Sequence, residues 1–393
     1  MWCRQLALAG LLLGTPAPAL AGAVATIPFH LVDHVVVLPV QIQDSDTLWF
    51  VLDTGAYHVS VDLPRASQLG LKVTGATHAT GGTGTVDAKR LAPFDIRMGS
   101  VVLTANQAQA FAFSGFASRI GHALDGVVGA ELFQRYVVEI DYAHRLVRLH
   151  EPSSFHYEGS GQRLPLTFLQ GLPHAQARVE LSDARWLAGR FLVDTGSSQA
   201  VILLADFLAQ NRVEQTVAKT VPFEGLAVGG EIGTRIGRLR ALELGELRLE
   251  DPLVVLPPPH PGHFATDGSA GNLGGGVFER FRMIFDYARS EMILEPASDL
   301  AAPMPFDASG LDLATTGGTF ATIVVQSVVP RSPAGEAGIL KGDRVIALDG
   351  TPAARVGMGR MQERLRHAGD SVTLTVSRGE RTWTVPLRLR DLL

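Results

Sequence analysis

The chain has 393 residues, 46 % of them hydrophobic and 19 % charged. This is a globular composition with enough apolar mass for two or three domains, and it excludes a disordered chain. A formal net charge of −5 and a pI near 6.2 give no basis for binding nucleic acid or an anionic membrane. The 42 glycines and 22 prolines favour many turns and short strands over long helices.

Residues 1–23 read as a signal peptide. Arg4 supplies the positive end, Leu6 to Leu13 the short apolar stretch, and Ala19-Leu20-Ala21 the small-x-small cleavage pattern. Cutting after Ala21 or Ala23 is expected, and with it export to the periplasm or beyond. The lone cysteine, Cys3, falls inside this segment. The mature chain is therefore expected to hold no disulfide, no thiol nucleophile and no Cys-ligated zinc. No metal or other cofactor is expected. No further apolar run is long enough to span a bilayer, and no room is left before the first strand for a long pro-segment.

Short runs rich in branched residues follow, and are expected as strands at 35–42, 49–52, 101–105, 137–140 and 146–149. Short helices fit 63–69 and 130–135. A second set of strands is expected at 177–181, 190–193, 253–256, 283–285 and 292–294, with a helix at 204–210. The second set repeats the first. Gly126-Val127-Val128-Gly129, Phe133, Arg135 and Asp141-Tyr142-Ala143 recur as Gly271-Asn272-Leu273-Gly274, Phe278, Arg280 and Asp286-Tyr287-Ala288, all at an offset of 145. Met98-Gly99-Ser100-Val101 corresponds to Leu244-Gly245-Glu246-Leu247 at an offset of 146. Ordered matches at nearly constant offset identify a tandem duplication of one β-rich unit. Beyond Pro296, residues 301–305 read as a linker. A small module then carries strands at 322–329, 344–348, 371–377 and 382–389 and a helix at 359–367.

Each unit carries one Asp-Thr-Gly after an apolar run: Phe50-Val51-Leu52-Asp53-Thr54-Gly55-Ala56 and Phe191-Leu192-Val193-Asp194-Thr195-Gly196-Ser197, 141 residues apart. Two carboxylates from equivalent units can face each other and share one proton, and such a pair activates water without metal. These residues resemble the retropepsin and pepsin superfamily of aspartic proteases over roughly 30–296. The resemblance implies that Asp53 and Asp194 are the catalytic pair. It implies that Thr54 and Thr195 cross-link the two turns, and that Gly55 and Gly196 permit close backbone approach. Val127-Val128-Gly129 and Asn272-Leu273-Gly274 match the apolar-apolar-Gly segment behind each turn, the second with a polar first residue. The glycine-rich stretches at Gly81, Gly82 and Gly84 and at Gly225 to Gly230, including Gly229 and Gly230, stand where the family has flaps that bind substrate. Ser197 follows Gly196, whereas Ala56 follows Gly55. A serine hydroxyl bonded to its carboxylate would make Asp194 the more acidic partner.

Ser332-Pro333-Ala334-Gly335-Glu336-Ala337-Gly338 through Gly342-Asp343-Arg344-Val345 to Asp349-Gly350 resembles a bacterial-type PDZ domain. Gly310, Leu311, Asp312 and Leu313 stand at its carboxylate-binding loop, so Gly310, Leu311 and Leu313 are candidate peptide contacts. Asp312 replaces a usual glycine, and its charge would oppose a bound carboxylate.

The expected fold is all-β: two tandem retropepsin-like β-barrel lobes, at 24–158 and 159–300, forming a pepsin-like pseudo-dimer, with a PDZ domain at 301–393. The expected function is exported endopeptidase activity on an extended polypeptide. One chain suffices for the site, and the PDZ module would recruit substrate or regulate. The alternative is an inactive peptide-binding or scaffold protein that keeps the aspartates for turn geometry.

Overall fold

The computed structural model describes residues 22–258 and 268–393. Most of the expected signal segment, residues 1–21, lies outside the described residues. The described chain is mostly β, with short helices inserted between strands, so the all-β expectation is relaxed to that extent.

Strand Leu48–Leu52 delivers Asp53, and it lies parallel to Gly126–Val128 with Phe50 opposite Gly126 and Leu52 opposite Val128. Strand Trp186–Val193 delivers Asp194, and it lies parallel to Gly271–Leu273 with Phe191 opposite Gly271 and Val193 opposite Leu273. Around these pairs the two ten-stranded sheets have the same strand order and the same off-path hairpin. The duplicated Gly-x hairpins are two-residue turns. Gly99 at φ +57 joins Phe94–Met98 to Val101–Ala105, and Gly245 at φ +61 joins Ala241–Leu244 to Leu247–Glu250. Positive φ at the first turn position is what this twist demands, and glycine meets it without strain.

A six-stranded sheet joins the two units. Its central strands, Val137–Asp141 and Phe281–Asp286, come one from each unit and pair antiparallel, with Glu139 opposite Ile284. Fully buried phenylalanines knit the units around it, and the Phe133 ring meets Phe285 edge-on at 5.3 Å. Glu139 lies inside this sheet within 2.6 Å of Arg148, 3.0 Å of Arg282 and 3.2 Å of His150.

Expected strands reappear within a few residues of their bounds, and two of them begin well before the expected start. The 177–181 run extends to Leu172–Glu180 and the 190–193 run to Trp186–Val193, where cross-strand pairing carries the polar positions that obscure the apolar signal. The glycine-rich stretches expected as flaps lie at the turns of two long hairpins, Val73–Gly81 with Gly84–Leu91 and Thr220–Ala227 with Gly230–Arg238, whose strands were not expected, and the helix Ser114–Ile120 has no counterpart in the expected elements. Their burial is thin, so their sequences carry little apolar periodicity.

The C-terminal module has its own core, including Leu313, Ile323, Val345, Met361 and Leu374. Among the described residues, Leu311–Thr316 is the edge strand of its sheet and pairs with Thr322–Val328 alone. Helix Met358–Leu365 turns Met358, Met361 and Leu365 inward, the i, i+3, i+7 spacing of one helical face. Among the described residues, no helix is long and apolar enough to cross a membrane.

Candidate active site

The two Asp-Thr-Gly turns face each other through reciprocal threonine bonds. The Thr54 amide donates to Thr195 Oγ1 and the Thr195 amide to Thr54 Oγ1, both at 3.0 Å. Each hydroxyl then donates across the interface, Thr54 Oγ1 to the Val193 carbonyl at 2.5 Å and Thr195 Oγ1 to the Leu52 carbonyl at 2.7 Å. Both threonines are fully buried, so each bond is made in a low-dielectric setting where leaving it unmade is costly. The segments behind the turns hold them from below: Val128 O accepts from the Asp53 amide and Leu273 O from the Asp194 amide, each at 2.9 Å.

This lattice sets the Asp53 and Asp194 carboxyls against each other, each packed on the glycine of the opposite turn and electrostatically coupled to its partner. Glycine is required beside them. A Cβ on Gly55 would lie 2.7 Å from Asp194 Oδ1, and one on Gly196 would lie 2.3 Å from Asp53 Cγ. The Gly55 amide donates to Asp53 Oδ1 at 2.7 Å, and the Gly196 amide to Asp194 Oδ1 at 3.0 Å.

The two carboxyls differ. Burial, the Asp194 charge and the shared hydrogen bond hold Asp53 well above the usual carboxylate range. Burial also raises Asp194, but the Asn272 side chain, Asp53 and the Gly196 and Ser197 amides oppose it. Asn272 Nδ2 donates to Asp194 Oδ2 at 2.6 Å. The equivalent position in the first unit is Val127, which has no donor. The expected source of this asymmetry is therefore corrected. Among the described hydrogen bonds the Ser197 hydroxyl makes none to Asp194, and the side-chain donor is Asn272. Its signal was present as the polar residue in an otherwise apolar segment.

The pair opens into a cavity of about 990 Å³. Phe111, Phe113 and Leu124 line it from the first unit and Ile232, Ile236 and Val255 from the second. The glycine-rich hairpins meet at their tips. The Thr83 amide and hydroxyl both donate to the Val228 carbonyl at 3.2 Å, and the hydroxyl also reaches the Gly230 carbonyl at 3.1 Å. Gly81 and Gly82 line the cavity. Gly84, Gly229 and Gly230 are not among its lining residues. They lie at the tip contact, where a Cβ on Gly229 would come within 2.3 Å of the Gly84 nitrogen.

The C-terminal module borders the same cavity through Phe306, Asp307, Gly310, Leu311, Asp312 and Leu313. Asp312 is paired with Arg119 of the first unit at 2.8 Å. Burial pushes the Asp312 carboxyl up to about 6 although Arg119 pulls it down. Asp307, which no sequence pattern singled out, accepts from the amides of Ser309 at 3.0 Å, Gly310, and Leu311 at 3.2 Å. Burial nonetheless pushes it up to about 6.

Two stretches of the chain match known families, one in the first unit and one in the C-terminal module. Residues 38–132 match the family described as aspartyl protease, and residues 301–389 match the PDZ domain family. No curated protein matches the chain. The first match contains Asp53 and the Gly126–Val128 strand behind it, and the second contains the edge strand Leu311–Thr316. The chain thus carries an aspartyl protease domain and, C-terminal to it, a PDZ domain.

Proposed function

We propose that the protein is an exported aspartic endopeptidase, in which two retropepsin-like lobes of one chain form a pepsin-like pseudo-dimer and supply the dyad Asp53 and Asp194. The observation that carries this reading is the buried threonine lattice. It sets the two carboxyls against each other, and among the described residues the Asn272 side chain donates to Asp194 alone. A pair so close cannot easily hold two charges, so it keeps one proton at moderately acidic pH.

The chemistry follows from that division. Asp194, its charge favoured by Asn272 Nδ2 and the turn amides, takes a proton from a water held between the carboxyls. The resulting hydroxide equivalent attacks the peptide carbonyl. Asp53 carries the shared proton and donates a hydrogen bond to the developing oxyanion. Proton transfer to the leaving nitrogen then breaks the C–N bond. The apolar walls favour substrates with large hydrophobic side chains flanking the scissile bond, and an extended strand presents alternate side chains to opposite walls. Peptide entry requires the flap tips to part, which breaks the Thr83 bonds.

Unfolded casein and a mixed peptide library, tested from acid to neutral pH, provide the assay, with Asp53→Asn, Asp194→Asn and a statine-type inhibitor as controls. Cleavage by the wild type, lost in both variants and blocked by the inhibitor, is expected. Cleavage that persists in both variants, or is absent from the wild type on every peptide, rejects the enzyme in favour of a peptide-binding scaffold. Export is tested by N-terminal sequencing of the mature chain. A cut after Ala21 is expected, since it keeps the whole strand Ala23–Pro28.

A further inference from the structure

An edge strand with one unpaired side is where a polypeptide adds to a sheet. Leu311–Thr316 is such a strand in the PDZ sheet, and the helix Ser114–Ile120 of the first lobe covers it. The Ser118 hydroxyl donates to the Thr315 carbonyl, and Thr315 Oγ1 donates to the Ser118 carbonyl at 3.0 Å. Gly121, which ends this helix in the left-handed region at φ +67, fits between strand and helix of the PDZ module. A Cβ there would lie 2.8 Å from Met358 Cβ and 3.3 Å from Thr315 Cγ2. The loop entering the strand is also filled from within, because Asp307 takes the Leu311 amide.

The same helix reaches the second flap. Arg119 pairs with Asp312 on the PDZ strand and donates to the Glu224 carbonyl on flap strand Thr220–Ala227. The PDZ module touches that flap directly as well. Gln326 donates to Glu231 at 3.3 Å, and Lys341 approaches Glu224 at 3.9 Å.

We propose that the PDZ edge strand is occupied by an internal ligand, the lobe 1 helix Ser114–Ile120, and that an extended polypeptide pairing with this strand displaces the helix and frees the second flap. The PDZ module then acts as a clamp on the cleft, and peptide binding at the PDZ and flap opening are one coupled equilibrium. The occupied edge is independent of hydrolysis, whereas its consequence for catalysis rests on the endopeptidase reading. Both readouts below are therefore chosen to need no cleavage.

The test compares the full mature chain with Gly121→Leu, whose side chain enters the space of Met358, and with Arg119→Ala, which cuts the bridge without backbone strain. The probe is an eight-residue fluorescent peptide with an apolar C-terminal half, as free acid and as amide, followed by anisotropy. Hydrogen exchange over residues 220–238 reports the flap. Binding of at least one peptide form is expected to tighten about tenfold in Gly121→Leu, with flap exchange accelerated by a similar factor. Arg119→Ala should move both in the same direction, and it alone decides if Gly121→Leu does not fold. Wild-type binding as tight as in the variants overturns the proposal. So does the absence of binding to any of the three proteins, or tighter binding with unchanged flap exchange.

Discussion

Replacing Asn272 by valine would give the second lobe the residue the first lobe has at Val127. The substitution removes the 2.6 Å hydrogen bond from Nδ2 to Asp194 Oδ2. A hydrogen bond to a charged group is worth about 1.5–3 kcal/mol. At about 1.36 kcal/mol per pK unit, its loss raises the pKa of the ionised partner by about one to two units. The acid limb of kcat/KM reports that partner in the free enzyme, as an apparent constant of the pair. It should move up by about one to two pH units in Asn272→Val, while Ser197→Ala leaves it in place because that hydroxyl makes none of the described hydrogen bonds to Asp194. Stability gives an independent check of sign. The folded pKa of Asp194 lies above its unfolded value, so the folded state binds more protons and this group's contribution falls as pH rises through the folded pKa. Asn272→Val raises that pKa further, so its destabilisation should be larger at pH 7 than at pH 3.5. An acid limb unmoved in Asn272→Val, or moved equally by Ser197→Ala, would refute the assignment of Asn272 as the group that sets the dyad's asymmetry.

Thr195→Ala leaves the Thr54 amide buried without its acceptor and should cost about 1–3 kcal/mol in denaturant melts. Gly196→Ala places a methyl against Asp53 and should lower kcat/KM by about 100-fold or more, a displacement effect on the reacting groups. Thr83→Val removes the hydroxyl bonds that tie the flap tips and should speed hydrogen exchange at both tips, with little change in the melting temperature. Burial works against ionisation of Glu139, but His150, Arg282 and Arg148 outweigh it and hold its pKa below the ordinary value. Its contribution is therefore present above the unfolded carboxylate pKa and lost as pH falls through the folded one. Glu139→Gln should cost about 1–3 kcal/mol at neutral pH by weakening its charge-assisted bonds to Arg148 and Arg282, which keep Asp141 and Glu295 as partners, and should flatten the acid side of the stability profile.

The duplicated core was legible in the chain because its residues are buried on regular strands. Val35–Ile42, Val101–Ala105 and Leu253–Leu256 lie at their expected bounds, since an apolar run bounded by turn residues is a direct record of burial. The flap hairpins and the helix Ser114–Ile120 were not legible as elements, because pairing between backbones and docking on another domain hold them more than a periodic apolar face does. The source of the asymmetry between the two aspartates is hidden in the sequence for a related reason. Ser197 is adjacent in sequence to the Asp194 turn, whereas Asn272 is 78 residues away and reaches Asp194 through the parallel pairing of Gly271–Leu273 with Trp186–Val193.

The sequence by itself determined that two equivalent units each carry an Asp-Thr-Gly and that a PDZ module follows, because repeat offsets and long motifs are properties of residue order. Tertiary structure alone decided which side chain, Asn272, donates to Asp194, and that the lobe 1 helix covers the PDZ edge. Hydrogen bonds and desolvation act over a few ångströms in space, and chain order leaves those distances open until the core has closed.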